Sequence, residues 1–312
     1  MRPAFSVILL TTLIGAAQGL LLSLFGAEVI ARLGVVGPAR REFFAAGGAL
    51  CVVLGAFGLI ASFFHLGHPE RAWRAATCWR TSWLSREVIV LPAFVALAAL
   101  YALAHWNGWP YTLVIGTVAV VFALALFVCT GMIYACIRFL QEWSTPLTVL
   151  NYMVLGSASG ATLATALSTF LAPEYERSYA ILAVSTTLLG LGTRSWSLRR
   201  NAGLRRTSTV QTAIGVRHPK IVQKSQGFLG GSFNTREFFH GQSHTFMRHA
   251  RTTFLTCAFV VPALLLTGGI ATNTSVLSLV AALVQFGGLL AERWYFFAEA
   301  NHPQNLYYQA IA

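Results

Sequence analysis

The stretch MRPAFSVILLTTLIGAAQGLLLSLF, residues 1–25, decides the class of fold to which this chain belongs. After Arg2 it runs on without a charged residue until Glu28. A helix that crosses a bilayer needs roughly 20 mainly apolar residues, and this stretch is long enough. Its beginning is similar to a secretory signal peptide, but no polar mature domain or cleavage site follows it. We therefore interpret it as a first membrane span.

The composition of the whole chain supports the same interpretation. Hydrophobic residues make up 56% of the 312 positions and charged residues only 10%, against roughly 25% charged residues in a typical soluble domain. A soluble fold of this length cannot cover its surface with so few charges. The sequence predicts an all-α integral membrane protein.

Hydropathy along the chain predicts eight helices that form one membrane domain over residues 1–312. The sixth and seventh are separated by a polar, basic loop at 199–251, whereas the other connections are short. The fold class is thus an eight-transmembrane-helix bundle. The predicted spans are about 5–27, 43–66, 87–105, 111–138, 146–171, 178–198, 252–272 and 275–297.

The distribution of Lys and Arg predicts the orientation. The side with the N-terminus carries 18 of the 22 basic residues, and the opposite side carries 4. When the long loop is discounted, the bias is still 7 to 4. Because basic residues are retained on the inner side, we expect a multi-pass protein of the bacterial inner (cytoplasmic) membrane with both termini cytoplasmic. Since these charges lie mostly in loops, they indicate topology and contacts with membrane lipids, and we expect no nucleic-acid partner.

The richest chemistry lies in SFFHLGHPERAWRAATCWRTSWLSRE, residues 62–87, between the second and third spans. His65 ends one span and Glu87 begins the next, so both are expected at the cytoplasmic membrane edge. A histidine titrates near neutrality, and a partly desolvated carboxyl group can hold a proton in the same range. This pair suits a molecule with an apolar tail and a head that takes up protons, which is the chemistry of a quinone. Arg71 and Trp73 are candidates to line the site of its headgroup.

Other redox centres and a transport role are disfavoured. None of the five cysteines forms a C-x-x-C pair, and iron–sulfur or zinc sites need clustered thiolates. None of the eight histidines lies deep in a span, so we expect no haem, no iron–sulfur cluster and no metal site in this chain. Transporters usually keep ionisable groups near the midplane, and here none is found there. We expect the polar residues within the spans, Gln18, Asn151 and Gln285, to form hydrogen bonds between helices.

Two motifs resemble a known family, the membrane anchor subunits of dimethyl sulfoxide reductase-type molybdoenzymes. They are HLGHPERAW (65–73) followed by TSWLSRE (81–87), and LLAERWYFF (289–297) near the C-terminal end. The ending AEANHPQNLYY (298–308) resembles most the anchor of membrane-bound cytoplasmic sulfite dehydrogenases. The resemblance implies a quinone site that includes His65 and Glu87, with Ser85 beside Glu87 at the helix start, Arg71, and Arg293 as the late arginine of the family.

The resemblance also implies the partners. An iron–sulfur electron-transfer subunit would dock on the cytoplasmic face, and a molybdopterin catalytic subunit would oxidise sulfite and send electrons to ubiquinone or menaquinone. The chain would be a subunit of this oxidoreductase complex that holds no redox metal itself. Three alternatives stay open: a quinol-oxidising anchor of a dimethyl sulfoxide reductase-like complex, an anchor that binds no quinone, and a transporter.

Overall fold

A computed structural model describes residues 5–37, 39–64, 66–205, 208–222 and 244–300. Within these ranges the chain is helical apart from the connections. A short 3-10 helix at Pro69–Ala76 follows α2, and one turn of π-helix at Thr256–Val260 joins α8 to α9. The α-helices are α1 (Phe5–Arg32), α2 (Arg41–Phe63), α3 (Trp83–Asn107), α4 (Thr112–Ala135), α5 (Pro146–Leu171), α6 (Pro173–Ala202), α7 (Val210–Ile214), α8 (His244–Leu255), α9 (Val261–Thr272) and α10 (Val276–Glu299).

Seven of the described helices are long and apolar enough to cross a membrane. They are α1 to α5, the continuous helix from Arg248 to Thr272, and α10. The exception among the eight predicted spans is α6. It has 30 residues, which is ample length, but it begins and ends with charged residues and has many hydroxyl side chains between them. Its polarity, and not its length, sets α6 apart from the other seven.

Hydrogen bonds between distant segments group the connections at two ends of the bundle. One end, where Arg199 and Arg200 close α6, we call the basic end. There Trp143 Nε1 donates to Phe296 O at 3.0 Å, and Arg200 donates to Gln141 O at 3.0 Å. These bonds bring the link between α4 and α5 beside the last turns of α6 and α10. At the opposite end, Tyr175 donates to Gly37 O, joining the start of α6 to the link between α1 and α2.

Helix α1 lies in the core of the bundle because small residues let another backbone reach it. A Cβ atom added at Gly160 of α5 would overlap the backbone at Gly19 of α1, and one added at Gly19 would overlap Gly156 O. Close approach of this kind is how membrane helices gain packing energy, since in lipid no hydrophobic force drives them together. The contact holds the middle of α1 against α5.

A second close approach joins α10 to the π-helical turn. A Cβ atom added at Gly288 would overlap the backbone at Cys257 and Ala258. Gln285, one turn before Gly288, donates to Thr187 Oγ1 at 2.9 Å and to Ala258 O at 3.3 Å. Gln18 of α1 likewise donates to Ala123 O of α4 at 2.7 Å. The predicted role as interhelical hydrogen-bond partners is confirmed for Gln18 and Gln285. It is not confirmed for Asn151, whose Oδ1 is buried without a hydrogen-bond partner in the part of the chain that the structure describes.

Candidate functional site

The sequence around Glu87 folds so that this carboxylate enters the bundle interior. Ser82 caps α3 by accepting a hydrogen bond from the Ser85 backbone N–H at 3.4 Å. Glu87 follows in the second turn and is only 8% exposed. Thr130 Oγ1 of α4 donates to Glu87 Oε1 at 2.5 Å. Burying a carboxylate costs free energy unless the group is hydrogen-bonded or protonated. The hydrogen bond from Thr130 therefore marks Glu87 and Thr130 as a polar site inside an apolar bundle.

Glu87 and Thr130 line a cavity within the bundle. The cavity is small, with room for about one water molecule. Its wall combines aliphatic and aromatic surface with a few groups that donate or accept hydrogen bonds. The lining residues are Leu10, Thr11, Ile14, Gly15 and Gln18 of α1, Glu87 of α3, Phe127 and Thr130 of α4, and Tyr152 of α5.

Tyr152 connects this cavity to a buried arginine. The guanidinium carbon of Arg293 lies 3.8 Å from the centroid of the Tyr152 ring. Tyr134 stacks on the same ring, with 5.7 Å between centroids and 8° between planes. Phe296 contacts Tyr134 and Tyr152 edge-on, at 5.5 Å and 5.9 Å. An aromatic cluster therefore separates the cavity from the charged residues of α10.

Those charged residues form a buried chain across two helices. Arg194 of α6 is 1% exposed, and its Nε lies 2.7 Å from Glu292 Oε1. The other oxygen, Glu292 Oε2, lies 3.6 Å from Arg293 Nε. Arg194 also reaches Glu299 Oε2, at 3.5 Å. Two arginines thus share the Glu292 carboxylate inside the bundle, where unpaired charges would be strongly unfavourable.

The predicted site residues divide into two groups. Glu87, Ser85 and Arg293 are buried at the basic end, with Glu87 in the cavity wall and Arg293 directly behind it on Tyr152. Arg71 and Trp73 lie on the exposed 3-10 helix instead. There Arg71 Nε is 3.6 Å from Glu70 Oε1, and neither Arg71 nor Trp73 lines the cavity.

His65, the predicted partner of Glu87, lies outside the described residues. The predicted basic loop at 199–251 is shorter in the structure, since α6 continues to Ala202 and helix resumes at His244. Among the described residues, no group of three or more His, Cys, Asp or Glu side chains is arranged to hold a metal ion.

Three residues of the site carry no signal in the sequence. Thr130 and Tyr152 lie within apolar runs, so hydropathy treats them as ordinary span residues. Their role comes only from packing, which brings α4 and α5 against α3 and α1. The charge pattern places Arg194 at the border of a basic loop, whereas the structure buries it between acids of α10.

A second buried carboxylate lies at the opposite end of the bundle. Glu28 of α1 accepts hydrogen bonds from Tyr101 Oη at 2.8 Å and from Thr112 Oγ1 at 2.5 Å. His105 Nε2 lies 3.2 Å from the same carboxylate, and its ring stacks on Phe44 with 4.7 Å between centroids. The cluster joins α1, α3 and α4. Because its groups pair with one another, it functions as an interhelical clamp.

Comparison with known proteins identifies relatives along the whole chain. Residues 1–298 match the family model described as DMSO reductase anchor subunit (DmsC). The chain is also 53% identical over 325 aligned positions to the C subunit of the sulfite dehydrogenase of Allochromatium vinosum, and the alignment covers 100% of both chains. The resemblance to this family that the motifs at 65–87 and 289–308 indicate is confirmed.

Proposed function

Because the chain belongs to the DMSO reductase anchor subunit (DmsC) family, we propose that it anchors an oxidoreductase complex in the membrane and binds quinone in the Glu87 cavity. In this role it connects an iron–sulfur partner subunit with the quinone pool. The observation that carries the proposal is the buried Glu87–Thr130 pair in a cavity with an otherwise largely apolar wall. A carboxylate in this setting holds or releases a proton where water is scarce.

The lining of the cavity fits the chemistry of a quinone head. Leu10, Ile14 and Phe127 supply apolar surface for a ring, while Glu87 and Thr130 supply hydrogen-bonding groups for its oxygens. When bound, a quinone takes up or releases two electrons and two protons. The cavity is too small to hold a ring as it stands, so binding requires its lining side chains to move apart. Glu87 would be the group in this wall that holds and exchanges a proton for a bound head.

The relative from Allochromatium vinosum, which belongs by name to a sulfite dehydrogenase, supports the substrate class of the complex. We propose that a molybdopterin catalytic subunit oxidises sulfite and that its electrons reach ubiquinone or menaquinone beside Glu87. The family model is named for dimethyl sulfoxide reductase, which favours the opposite direction, quinol to substrate, as the second candidate. Reduction of dimethyl sulfoxide by quinol in the purified complex, without sulfite oxidation, would establish that second function.

We propose that α6 is the eighth span and that both termini lie in the cytoplasm. Its 30 residues, at a rise of about 1.5 Å each, give a helix about 45 Å long. This length exceeds the hydrocarbon core of a bilayer, which is about 30 Å thick. Its buried cation, Arg194, is neutralised by Glu292 and Glu299, which lowers the cost of a polar span. The basic end then lies on the inner side of a bacterial cytoplasmic membrane, where it faces lipid headgroups and the iron–sulfur subunit.

The test separates quinone chemistry from assembly. Glu87→Gln and Thr130→Val are introduced into the complete complex, and sulfite oxidation is measured with a short-tailed quinone and with a water-soluble acceptor that takes electrons from the partner subunits. We expect Glu87→Gln to lower the quinone-dependent rate about a hundredfold or more, the range for losing one positioned proton-transfer group. The rate with the soluble acceptor should stay unchanged, because the partner subunits are intact.

The matched control is Glu70→Gln, which removes a carboxylate exposed on the 3-10 helix. It should leave both rates at the wild-type value. Equal quinone-dependent rates in Glu87→Gln and wild-type complexes, at equal assembly, would contradict the proposed site and favour an anchor without a quinone function.

A further inference from the structure

Tyr152 is enclosed by cationic and aromatic side chains at the wall of the cavity. Arg293 lies over one face of its ring at 3.8 Å, Tyr134 stacks in parallel with the ring, and Phe296 closes one edge. The residue is 3% exposed, and its hydroxyl has no hydrogen-bond partner among the residues that the structure describes. The Tyr134 side chain interacts electrostatically with this hydroxyl, but the distance and angle of a hydrogen bond are not reached. An unpaired buried hydroxyl costs free energy, so a rigid phenol in this position is arranged for a partner that is bound only part of the time.

The cation on the ring face strengthens this hydroxyl as a donor. An arginine over an aromatic ring is attracted to the negative face of the ring, and its charge draws electron density away from the phenol oxygen. The O–H group therefore donates more strongly to an acceptor such as a carbonyl oxygen. The cavity wall thus holds one fixed donor, Tyr152, in addition to the Glu87–Thr130 pair.

The position of Arg293 depends on Arg194. Glu292 is shared unequally, since its distance to Arg194 Nε is 2.7 Å and its distance to Arg293 Nε is 3.6 Å. The shorter contact ties the carboxylate to α6 and leaves the Arg293 guanidinium on the Tyr152 ring. Without Arg194, Glu292 would have Arg293 as its nearest cation and would draw it off the ring. Arg194 is therefore a positioning residue that acts through Glu292 and Arg293.

We propose that Tyr152 donates a hydrogen bond to a carbonyl oxygen of the quinone head and that Arg194, through Glu292, keeps Arg293 on the ring that makes this donor strong. This inference rests on the proposed function, because it assigns a further ligand-contacting residue and a positioning residue to the same cavity. The role of Tyr152 is in binding only, and no covalent bond is made or broken by it.

The experiment measures binding directly in the purified complex. The probe is a fluorescent hydroxyquinoline N-oxide, whose exocyclic oxygens imitate quinone carbonyls, and its dissociation constant is measured by fluorescence quenching. Tyr152→Phe keeps the ring that contacts Tyr134 and Arg293 but removes the donor. We expect its dissociation constant to rise about five- to tenfold, the range for one lost hydrogen bond. The matched control is Tyr179→Phe, a buried tyrosine of α6 that donates to Ser23 O outside the cavity, and its binding should equal wild type.

A double-mutant cycle tests Arg194. Arg194→Gln should weaken binding about threefold to fivefold, and combining it with Tyr152→Phe should add little more, because both changes act through the same hydroxyl. Arg194→Lys, which keeps the charge, should restore most of the affinity. Additive losses would show that Arg194 acts through general stability, and would overturn its positioning role.

The outcomes also separate this inference from the function on which it rests. Unchanged affinity in Tyr152→Phe, with affinity lost in Glu87→Gln, would overturn the Tyr152 assignment alone. Absence of saturable binding in the wild-type complex would overturn both the inference and the proposed quinone site. If Arg194→Gln fails to assemble, Tyr152→Phe still decides the first half of the proposal and Arg194→Lys the second.

Discussion

The Glu28 clamp yields a prediction whose size follows from its hydrogen bonds. Glu28→Ala removes the acceptor shared by Tyr101, Thr112 and His105, which belong to α3 and α4. All four residues are at most 4% exposed. The two hydroxyls and the imidazole therefore lose their partner in a place that water does not reach.

Single interhelical hydrogen bonds in membrane proteins contribute on average about 0.6 kcal/mol, and a buried group left without a partner costs about 1–3 kcal/mol. Three such groups give a loss of about 3 kcal/mol in the free energy of unfolding. At about 2–4 °C per kcal/mol for a chain of this size, the midpoint of thermal unfolding should fall by about 6–12 °C.

The assay heats the purified complex in mild detergent and measures the fraction of this chain that stays monodisperse. Glu28→Gln keeps one oxygen acceptor and should lose about half as much. Glu42→Ala removes an exposed carboxylate from the first turn of α2 and should leave the midpoint unchanged. A Glu28→Ala midpoint equal to that of Glu42→Ala would refute the assignment of Glu28 as a clamp.

Two further predictions concern the packing of the bundle. Gly160→Ala places a methyl group against the Gly19 backbone, so we expect the yield of folded protein to fall severalfold. The control, Gly192→Ala, meets open space and should express at the wild-type level. Equal yields of the two variants would contradict the close contact of α1 and α5. Trp143→Phe keeps the stacking on Phe296 but loses the hydrogen bond to Phe296 O. The midpoint of thermal unfolding should fall by about 2–4 °C, the effect of losing about 1 kcal/mol. An unchanged midpoint would show that this bond does not hold α10 to the link before α5.

Helix boundaries can be predicted well where the sequence marks them chemically. The span predicted at 146–171 has the limits of α5, because Thr145 caps the helix, Pro146 occupies its first turn, and Pro173 starts the next helix. The span predicted at 178–198 is shorter than α6. Hydropathy excludes its charged first turn and its Arg-rich last turn, whereas the folded bundle buries Tyr175 and bonds Arg200 to Gln141 O. Within the predicted span, the bundle pairs the buried Arg194 with Glu292. Tertiary pairing of charges is not visible in a hydropathy profile.

The residues of the candidate site also divide into those that the sequence marks and those that only helix packing brings together. Glu87 can be identified because an acid at the start of an apolar span is conspicuous. Thr130 and Tyr152 cannot, since the residues that surround Glu87 come from α1, α4 and α5 and depend on how these helices pack. Closeness in the sequence predicts that Arg71 and Trp73 line a headgroup site with Glu87, and the structure places both on the exposed 3-10 helix, away from the Glu87 cavity. Residues close in the sequence can lie apart in the fold when the connection between two spans forms a helix of its own.

The central claim is that the Glu87 cavity is the quinone site, and covalent labelling tests it most directly. The purified complex is irradiated with a photoreactive ubiquinone, and the labelled peptides of this chain are identified by mass spectrometry with and without excess unlabelled quinone. The account predicts labels on cavity-lining segments of α1, α3, α4 or α5 that the competitor removes. Labels confined to other helices, or labels on these segments that the competitor leaves in place, would contradict it.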